Sequence, residues 1–409
     1  MKHDLPTIKK MGNGSSVIEE EVNSDLNQLT EPAVKLSEIE DNYSSIFKQT
    51  STVELECGDD LFGENNIWSN LPLDAIRYIF EFMSFKDVYD VSVVCKKFNA
   101  LCWKHLKEID ISKESPSASR LTDTVMFRVL NLANNIEYLG LVGCRMLSSK
   151  SLNLIARHGN TLTSLDLSYV SHLQPATLEL LAKSCKKLRR LVLGGTYQFN
   201  QVDMCFPALE IFVFRRGYYH GLDAHLKRHK ATLKGINLEV PQMELGCESI
   251  SKFIMSNLSQ TLVFLNLDRF PVGATDLREL KNFTKLKGLT IPMLGMHGRE
   301  ILEGIGNNLC YLALTQTNLN DVVDLLLEFE MSSVMILSIL SRTFVPSTIA
   351  NDVKKVLRSS IQRKTFPQLK CFEFSQVITQ DNELSSLVDE FHNLKMLRYW
   401  KQKLGMTDY

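Results

Sequence analysis

The sequence lacks a Cys-x-x-Cys pair, although it contains nine cysteines among 409 residues. These cysteines are odd in number and scattered along the chain, so we expect neither a disulfide framework nor a zinc site. No apolar run approaches the ~20 residues that span a bilayer. The N-terminal residues 1–6 also lack the apolar core of a signal peptide. We therefore expect a reduced protein of the cytoplasm, the nucleus or both, with no membrane segment.

An excess of charge of one sign is missing too, since 46 Lys and Arg residues stand against 47 Asp and Glu residues. Residues 1–65 hold 5 of the basic and 14 of the acidic residues, which leaves 41 and 33 for residues 66–409. This excess of 8 positive charges is spread out, whereas nucleic-acid binding needs a clustered basic face. The sequence also has no Gly-rich phosphate loop, Gly-x-Ser-x-Gly elbow or kinase signature, so we expect no catalytic site and no cofactor.

The acidic segment at residues 1–65 shows no sustained apolar periodicity and is rich in Ser, Asn, Glu and Asp. Such a composition buries too little apolar surface to offset the entropy of ordering. We expect this segment to be a disordered tail.

Composition changes abruptly at residue 66, where apolar residues take up helical spacing. Ile76, Ile79, Phe80 and Met83 would share one face of a first helix. A second helix would follow from Ser84, with Val88, Val91, Cys95, Phe98 and Cys102 at similar spacing. Two amphipathic helices make a very small core, so the apolar surface of this unit is expected to meet another chain.

The remainder of the chain repeats the pattern L-x-x-L-x-L, with Ile, Val, Phe or Tyr as substitutes. The copies are spaced by 21 to 35 residues and begin at Ile136, Leu162, Leu188, Leu209, Leu233, Leu262, Leu286, Leu309, Val334, Leu369 and Leu394. A regular period of this length is typical of a solenoid in which each repeat buries its apolar side against its neighbours.

Helical stretches separate these predicted strands. We expect them at Ser151–Arg157, Thr177–Cys185, Ser249–Leu258, Asp276–Phe283 and Leu319–Phe329, with an extra helix or lid within 343–364. Each unit is then strand, turn and helix, and the predicted fold class is α/β: a curved parallel sheet with helices on its convex side, after a small helical module.

Both regions resemble F-box proteins with C-terminal leucine-rich repeats. The first resemblance depends on Leu71-Pro72, Ile79-Phe80 and the segment Val91–Phe98, with Trp103 beyond. It predicts a disordered tail at 1–65, an F-box at 66–108, a linking helix or first cap at 109–135, and leucine-rich repeats at 136–409. The first repeat, Leu139-x-Leu141-x-x-Cys144, fits the cysteine-containing subtype, and the later copies lack its Asn/Cys ladder.

The resemblance implies a non-catalytic substrate-recognition subunit of a Skp–cullin–F-box (SCF) ubiquitin ligase. The F-box would bind a Skp-type adaptor and, through it, the cullin and the RING protein, while the repeats would bind a protein target for ubiquitination and degradation. By position, the residues in or near the adaptor interface would be Leu71, Pro72, Ile76, Ile79, Phe80, Val94 and Cys95.

In leucine-rich repeats the residues that flank the central leucine point to the concave face, which makes them candidates for target binding. They are Tyr138, Asp166, Arg190, Arg215, Glu239, Phe264, Asp268, Tyr311, Arg398 and Trp400. Two alternatives remain open: an F-box scaffold not coupled to degradation, and an enzyme or nucleic-acid binder built on repeats. His225 and His229 are spaced like a helical metal pair, but we interpret them as part of a surface helix.

Overall fold

The computed structural model describes most of the chain between residues 72 and 374. The described residues are 72–80, 83, 85–92, 96–111, 121–195, 204–216, 221–239, 247–292, 294, 297–315, 319–339, 354–356, 358–360, 362 and 365–374. The predicted acidic tail and the last predicted repeat, at Leu394, lie outside these residues.

The helical module contains three helices, not the two predicted. They are α1 (Leu73–Phe80), α2 (Phe85–Ser92) and α3 (Lys96–His105). The stretch predicted as one second helix is thus two, and the sequence between them contains Val93 and Val94, whose β-branched side chains lower helix propensity. The apolar residues predicted for one face of the first helix differ in burial, since Ile76 is 2 % exposed and Ile79 is 39 % exposed.

The described part of the chain forms one sheet of eleven parallel strands, in which every strand pairs with its neighbours in sequence. The strands are β1 (Glu108–Asp110), β2 (Tyr138–Gly140), β3 (Ser164–Asp166), β4 (Arg190–Gly194), β5 (Ile211–Arg215), β6 (Gly235–Glu239), β7 (Phe264–Arg269), β8 (Gly288–Ile291), β9 (Tyr311–Leu314), β10 (Ile336–Ile339) and β11 (Cys371–Phe374). Sequential order with parallel pairing is the arrangement of a solenoid and confirms the predicted fold class.

Helices connect the strands, as parallel pairing requires. They are α4 (Asp123–Leu132), α5 (Ser149–Leu154), α6 (Pro175–Ser184), α7 (Leu222–His229), α8 (Cys247–Asn257), α9 (Ala274–Arg278), α10 (Gly298–Ile305) and α11 (Leu319–Leu327). Short 3₁₀ turns follow three of them, at Ile155–His158, Glu279–Asn282 and Gly306–Asn308. Residues 354–356 and 358–360, within the predicted extra helix, are also helical.

The consensus apolar positions of the repeats form the core between sheet and helices. Leu139, Leu165 and Leu191 are fully buried at the centres of their strands, and so are Leu152 and Leu181 on the helices. Burial of one such side chain contributes about 1.5–3 kcal/mol, so the regular leucine spacing supplies much of the stability of the solenoid.

The helical module continues directly into the sheet. Only Leu106 and Lys107 separate α3 from β1, and α2 packs against β1. Trp103 is 3 % exposed and contacts Phe85 edge to face, with ring centroids 6.4 Å apart. The first strand therefore lies where we predicted a linking helix or cap, and the module is attached to the repeats without a linker.

Candidate functional site

The sheet face that alternates with the consensus leucines carries most of the predicted target-binding residues, and we call it the inner face. Two rows of register-paired residues cross it from β1 to β11. The first row contains Glu108, Tyr138, Ser164, Arg190, Ile211, Gly235, Phe264, Gly288, Tyr311, Ile336 and Cys371. The second row contains Asp110, Gly140, Asp166, Val192, Val213, Asn237, Asn266, Thr290, Ala313, Ser338 and Glu373.

The β1–β3 end of the inner face is acidic. Asp110 and Asp166 flank Gly140 in the register. The Tyr138 hydroxyl donates to Asp110 Oδ2 at 3.4 Å, and a Cβ at Gly140 would stand 2.8 Å from that hydroxyl oxygen. Burial, reinforced by the two carboxylates, raises the pKa of Tyr138, so its hydroxyl remains a protonated donor. The positive charge of Arg190 acts in the opposite direction and lowers the pKa of this tyrosine.

Charges alternate at the ends of β5, β6 and β7. Arg215, Glu239 and Arg269 are neighbours in the register, so Glu239 lies between two arginines along the sheet. Asp268 Oδ2 lies 3.8 Å from Arg269 Nε, and Asp268 Oδ1 accepts a hydrogen bond from the Thr315 hydroxyl. The strand ends therefore hold charges of both signs, two arginines and two carboxylates.

Polar groups also mark the centre of the inner face. Asn237 Oδ1 and Thr290 Oγ1 are buried, and within the described residues they have no hydrogen-bond partner. They flank Asn266, whose own Oδ1 accepts from the Asp268 backbone N–H at 2.9 Å. Buried polar atoms without partners cost free energy, so these two side chains are expected to destabilise the centre of the sheet.

The structure narrows the predicted target-binding set. Asp166, Arg215 and Tyr311 are only 4 %, 5 % and 7 % exposed and offer a partner little surface. Tyr311 packs with Ala313 and Ile336 in a buried cluster on the inner face, because these rows are apolar at β9 and β10. Arg398 and Trp400 lie outside the described residues. The other five, which are half-buried, are Tyr138, Arg190, Glu239, Phe264 and Asp268.

The helical module has a packed side and an open side. Ile76 and Val88 are buried, and Phe80 meets Phe98 edge to face at a centroid distance of 6.2 Å. On the open side of α1, Tyr78 is 63 % exposed and Ile79 is 39 % exposed.

Residues 68–109 match the family model of the F-box domain. This match covers α1 to α3 and the start of β1, and it confirms that part of the predicted resemblance. No curated protein matches the chain. Among solved structures, the chain is similar to one chain of the crystal structure of the Rad7 and Elc1 complex in yeast. That similarity has 13 % identity and a TM-score of 0.40, and it covers 91 % of this chain and 97 % of that chain.

Within the F-box, the predicted adaptor-binding residues lie in different environments. Pro72 and Ile79 are exposed, Phe80 is half-buried and Ile76 belongs to the core, while Leu71, Val94 and Cys95 lie outside the described residues. Tyr78 was missed, although its place beside Ile79 in an apolar helix was a usable signal. Of the predicted set, Pro72 and Ile79 are thus exposed, and so is Tyr78.

The helix predicted around His225 and His229 is present as α7 and exposes Lys227 and Arg228, but its two histidines do not lie on the surface. Both rings are buried, with centroids 4.5 Å apart, because α7 turns its histidine face inward and its Lys227 and Arg228 side outward. The Phe206 backbone N–H donates to His229 Nε2 at 3.0 Å, so His229 Nδ1 carries the proton and donates to the His225 carbonyl at 2.9 Å. Burial lowers the pKa of both histidines.

Two further absences hold for the described residues. No group of three or more His, Cys, Asp or Glu side chains there is arranged to hold a metal ion. None of the helices described is long and apolar enough to cross a membrane.

Proposed function

We propose that this protein is the substrate-recognition subunit of an SCF-type ubiquitin ligase of the cytoplasm, the nucleus or both. Its F-box binds a Skp-type adaptor, which joins it to the cullin and the RING protein. The inner face of its repeats binds the protein that is to be ubiquitinated and degraded.

The observation that carries this proposal is the open apolar side of α1 inside the matched F-box. Tyr78 and Ile79 of this helix and Pro72 just before it are exposed, although Ile76 of the same helix is buried. Apolar side chains grouped on so small a unit are typical of an interface with another protein. Aromatic residues such as Tyr78 are also over-represented among the side chains that dominate binding energy.

The direct connection from α3 to β1 supports a role in positioning. Since two residues separate the F-box from the sheet and α2 packs against β1, a target on the inner face is held at a fixed distance from the adaptor. Holding reactants together raises their effective concentration without any catalytic group. The protein is therefore proposed to act by proximity, with the ubiquitin chemistry performed by its partners.

The test is binding of the purified full chain to a Skp-type adaptor. Ile79→Asp is expected to weaken this binding at least about a hundredfold, because an interfacial charge without a partner costs about 3 kcal/mol or more. Its control is Phe127→Asp, which places the same charge at an exposed phenylalanine on α4, outside the F-box. The control is expected to keep wild-type affinity. Circular dichroism checks that both variants are folded.

Pull-downs from cells extend the test to the cullin. The wild type is expected to bring down both adaptor and cullin, whereas Leu71→Ala/Pro72→Ala brings down neither. If the wild type also brings down neither, the proposal is wrong. Captured proteins whose turnover is unchanged when this chain is depleted would instead support the scaffold alternative.

A further inference from the structure

A left-handed backbone recurs at one position of four successive repeats. This position is the seventh residue after the start of the repeat pattern, and its φ values are 74°, 59°, 103° and 43° at Gly143, Tyr169, Gly195 and Arg216. In each case the backbone N–H donates to a carbonyl of the next strand, at 2.8–3.0 Å. The repeat turn thus demands a conformation that glycine adopts freely.

Two of these four positions carry large side chains instead of glycine. L-residues with a Cβ are disfavoured in the left-handed region, and persist there only when something else compensates. Tyr169 and Arg216 are therefore retained at a cost in stability that glycine at the same turn would avoid. Residues in such conformations cluster at binding sites, which makes the surroundings of this pair the place to search.

Tyr169 and Arg216 stand on either side of Gly195. A Cβ at Gly195 would meet nothing closer than the Tyr169 Cα at 3.8 Å and Cδ1 at 4.0 Å. Neighbouring strands are about 4.8 Å apart, so the two side chains start from backbones roughly 9.6 Å apart with no side chain between them. We call this space the Gly195 slot. The Tyr169 ring borders it, since Cδ1 lies 4.0 Å from the position of a Gly195 Cβ.

The charge around the Gly195 slot is positive. Arg216 is exposed, and its charge acts on the Tyr169 hydroxyl together with those of Arg215, Glu239 and Arg269. Burial raises the pKa of Tyr169, so the hydroxyl keeps its proton at neutral pH and serves as a donor. Among these charges three arginines stand against one glutamate, and Asp268 lies beside Arg269.

We propose that the Gly195 slot binds one Asp or Glu side chain of the protein target, with the carboxylate accepting hydrogen bonds from the Tyr169 hydroxyl and the Arg216 guanidinium. This inference rests on the proposed function and names the chemistry of its target. Charge-assisted hydrogen bonds from arginine are about twice as strong as neutral ones, so this contact anchors the bound segment.

The probe is a phage-displayed library of random linear peptides, panned against the full-length wild type. We expect Asp or Glu to be enriched several-fold at one position of the selected peptides. Arg216→Gly is expected to weaken binding of a selected peptide about tenfold or more. The same variant is expected to keep or raise the Tm, because glycine suits the left-handed turn. Arg157→Ala, at an exposed arginine on the helix side of the sheet, is the matched control and should leave peptide affinity unchanged.

Three results would overturn the proposal: no acidic enrichment, unchanged affinity in Arg216→Gly, or a clear fall in its Tm, which would make Arg216 a support of the fold. The proposal would also be wrong if a selected peptide bound much more tightly once phosphoserine replaced its acidic residue, because the slot would then be a phosphate site. Adaptor binding is measured on the same preparations. Failure of the slot with intact adaptor binding is therefore distinct from failure of the proposed function.

Discussion

Gly159→Ala is expected to lower the free energy of unfolding by about 3 kcal/mol, the upper part of the usual range for overpacking. Gly159 follows the Ile155–His158 turn and touches the end of α6 in the next repeat. A Cβ there would stand 2.3 Å from the Ser184 carbonyl oxygen and 2.6 Å from its carbon. Both atoms belong to the backbone, so relief requires the two repeats to separate.

Urea unfolding followed by circular dichroism measures this loss. Gly273→Ala is the matched control, because its added Cβ would meet nothing closer than 3.8 Å and its φ of −67° is ordinary for alanine. Gly273 caps α9, where the change to alanine costs only a few tenths of a kcal/mol up to about 1 kcal/mol. Equal losses in the two variants would show that the contact between Gly159 and Ser184 is not a tight one.

The strands were predictable because their leucines obey one period. Ten of the eleven pattern copies start two residues before a strand, from Ile136 before Tyr138 to Leu369 before Cys371. The eleventh, at Leu394, lies outside the described residues. Since each repeat must bury the same leucine positions against its neighbours, the sequence pattern and the strand register are two expressions of one constraint.

The first strand was missed although its sequence fits. Leu106-x-x-Ile109-x-Ile111 has the repeat pattern, and all three side chains are buried. The same stretch also continues the apolar spacing of α3, and the predicted boundary at 108 divided it between the F-box and the linking helix or first cap. Where two modules meet, the same apolar residues can fit both helical and strand spacing. Local sequence alone does not then show whether the segment is a helix or a strand.

Features of the sites that depend on tertiary context were less predictable. The left-handed turns at Tyr169 and Arg216 have no sequence signal of their own, and only Gly143 and Gly195 at the equivalent positions point to them. The burial of Tyr311 also escaped prediction, because it depends on Ala313 and Ile336 packing beside it on a face expected to be open. Side chains alternate between the two faces of a sheet, so the sequence of a strand predicts the face on which a residue lies. It does not predict which other side chains cover that face.

The buried histidines lead to a second large effect, a loss of stability in mild acid. Burial lowers the pKa of His158, His225 and His229 below the ordinary value of 6.5. For His229 the arrangement is specific, since its Nε2 accepts from the Phe206 N–H and a proton there would abolish that hydrogen bond. All three must enter the fold as neutral rings.

The direction of the pH effect follows from proton uptake. As pH falls below 6.5, the unfolded chain binds protons that the folded chain refuses, so stability is complete above that pH and declines below it. Each such histidine lowers the free energy of unfolding by up to about 1.4 kcal/mol per pH unit, and the three together lower it by up to about 4 kcal/mol per pH unit. Asp123 and Asp223, whose pKa values are lowered from 3.8, act only in stronger acid and do not share this window.

Urea unfolding at pH 7.5, 6.5 and 5.5 measures how the free energy of unfolding changes with pH. These three pH values lie about one unit apart around the ordinary histidine pKa. His225→Phe keeps an aromatic ring against Phe212, whose centroid lies 4.7 Å from that of His225, and removes one titrating group. This variant is expected to lose about a third of the change in unfolding free energy per pH unit. That change depends on the number of titrating histidines, so the result holds whatever the stability of the variant at pH 7.5. A wild-type slope near zero would contradict the neutral burial of the pair, since a histidine that is charged in the folded state has already taken up its proton.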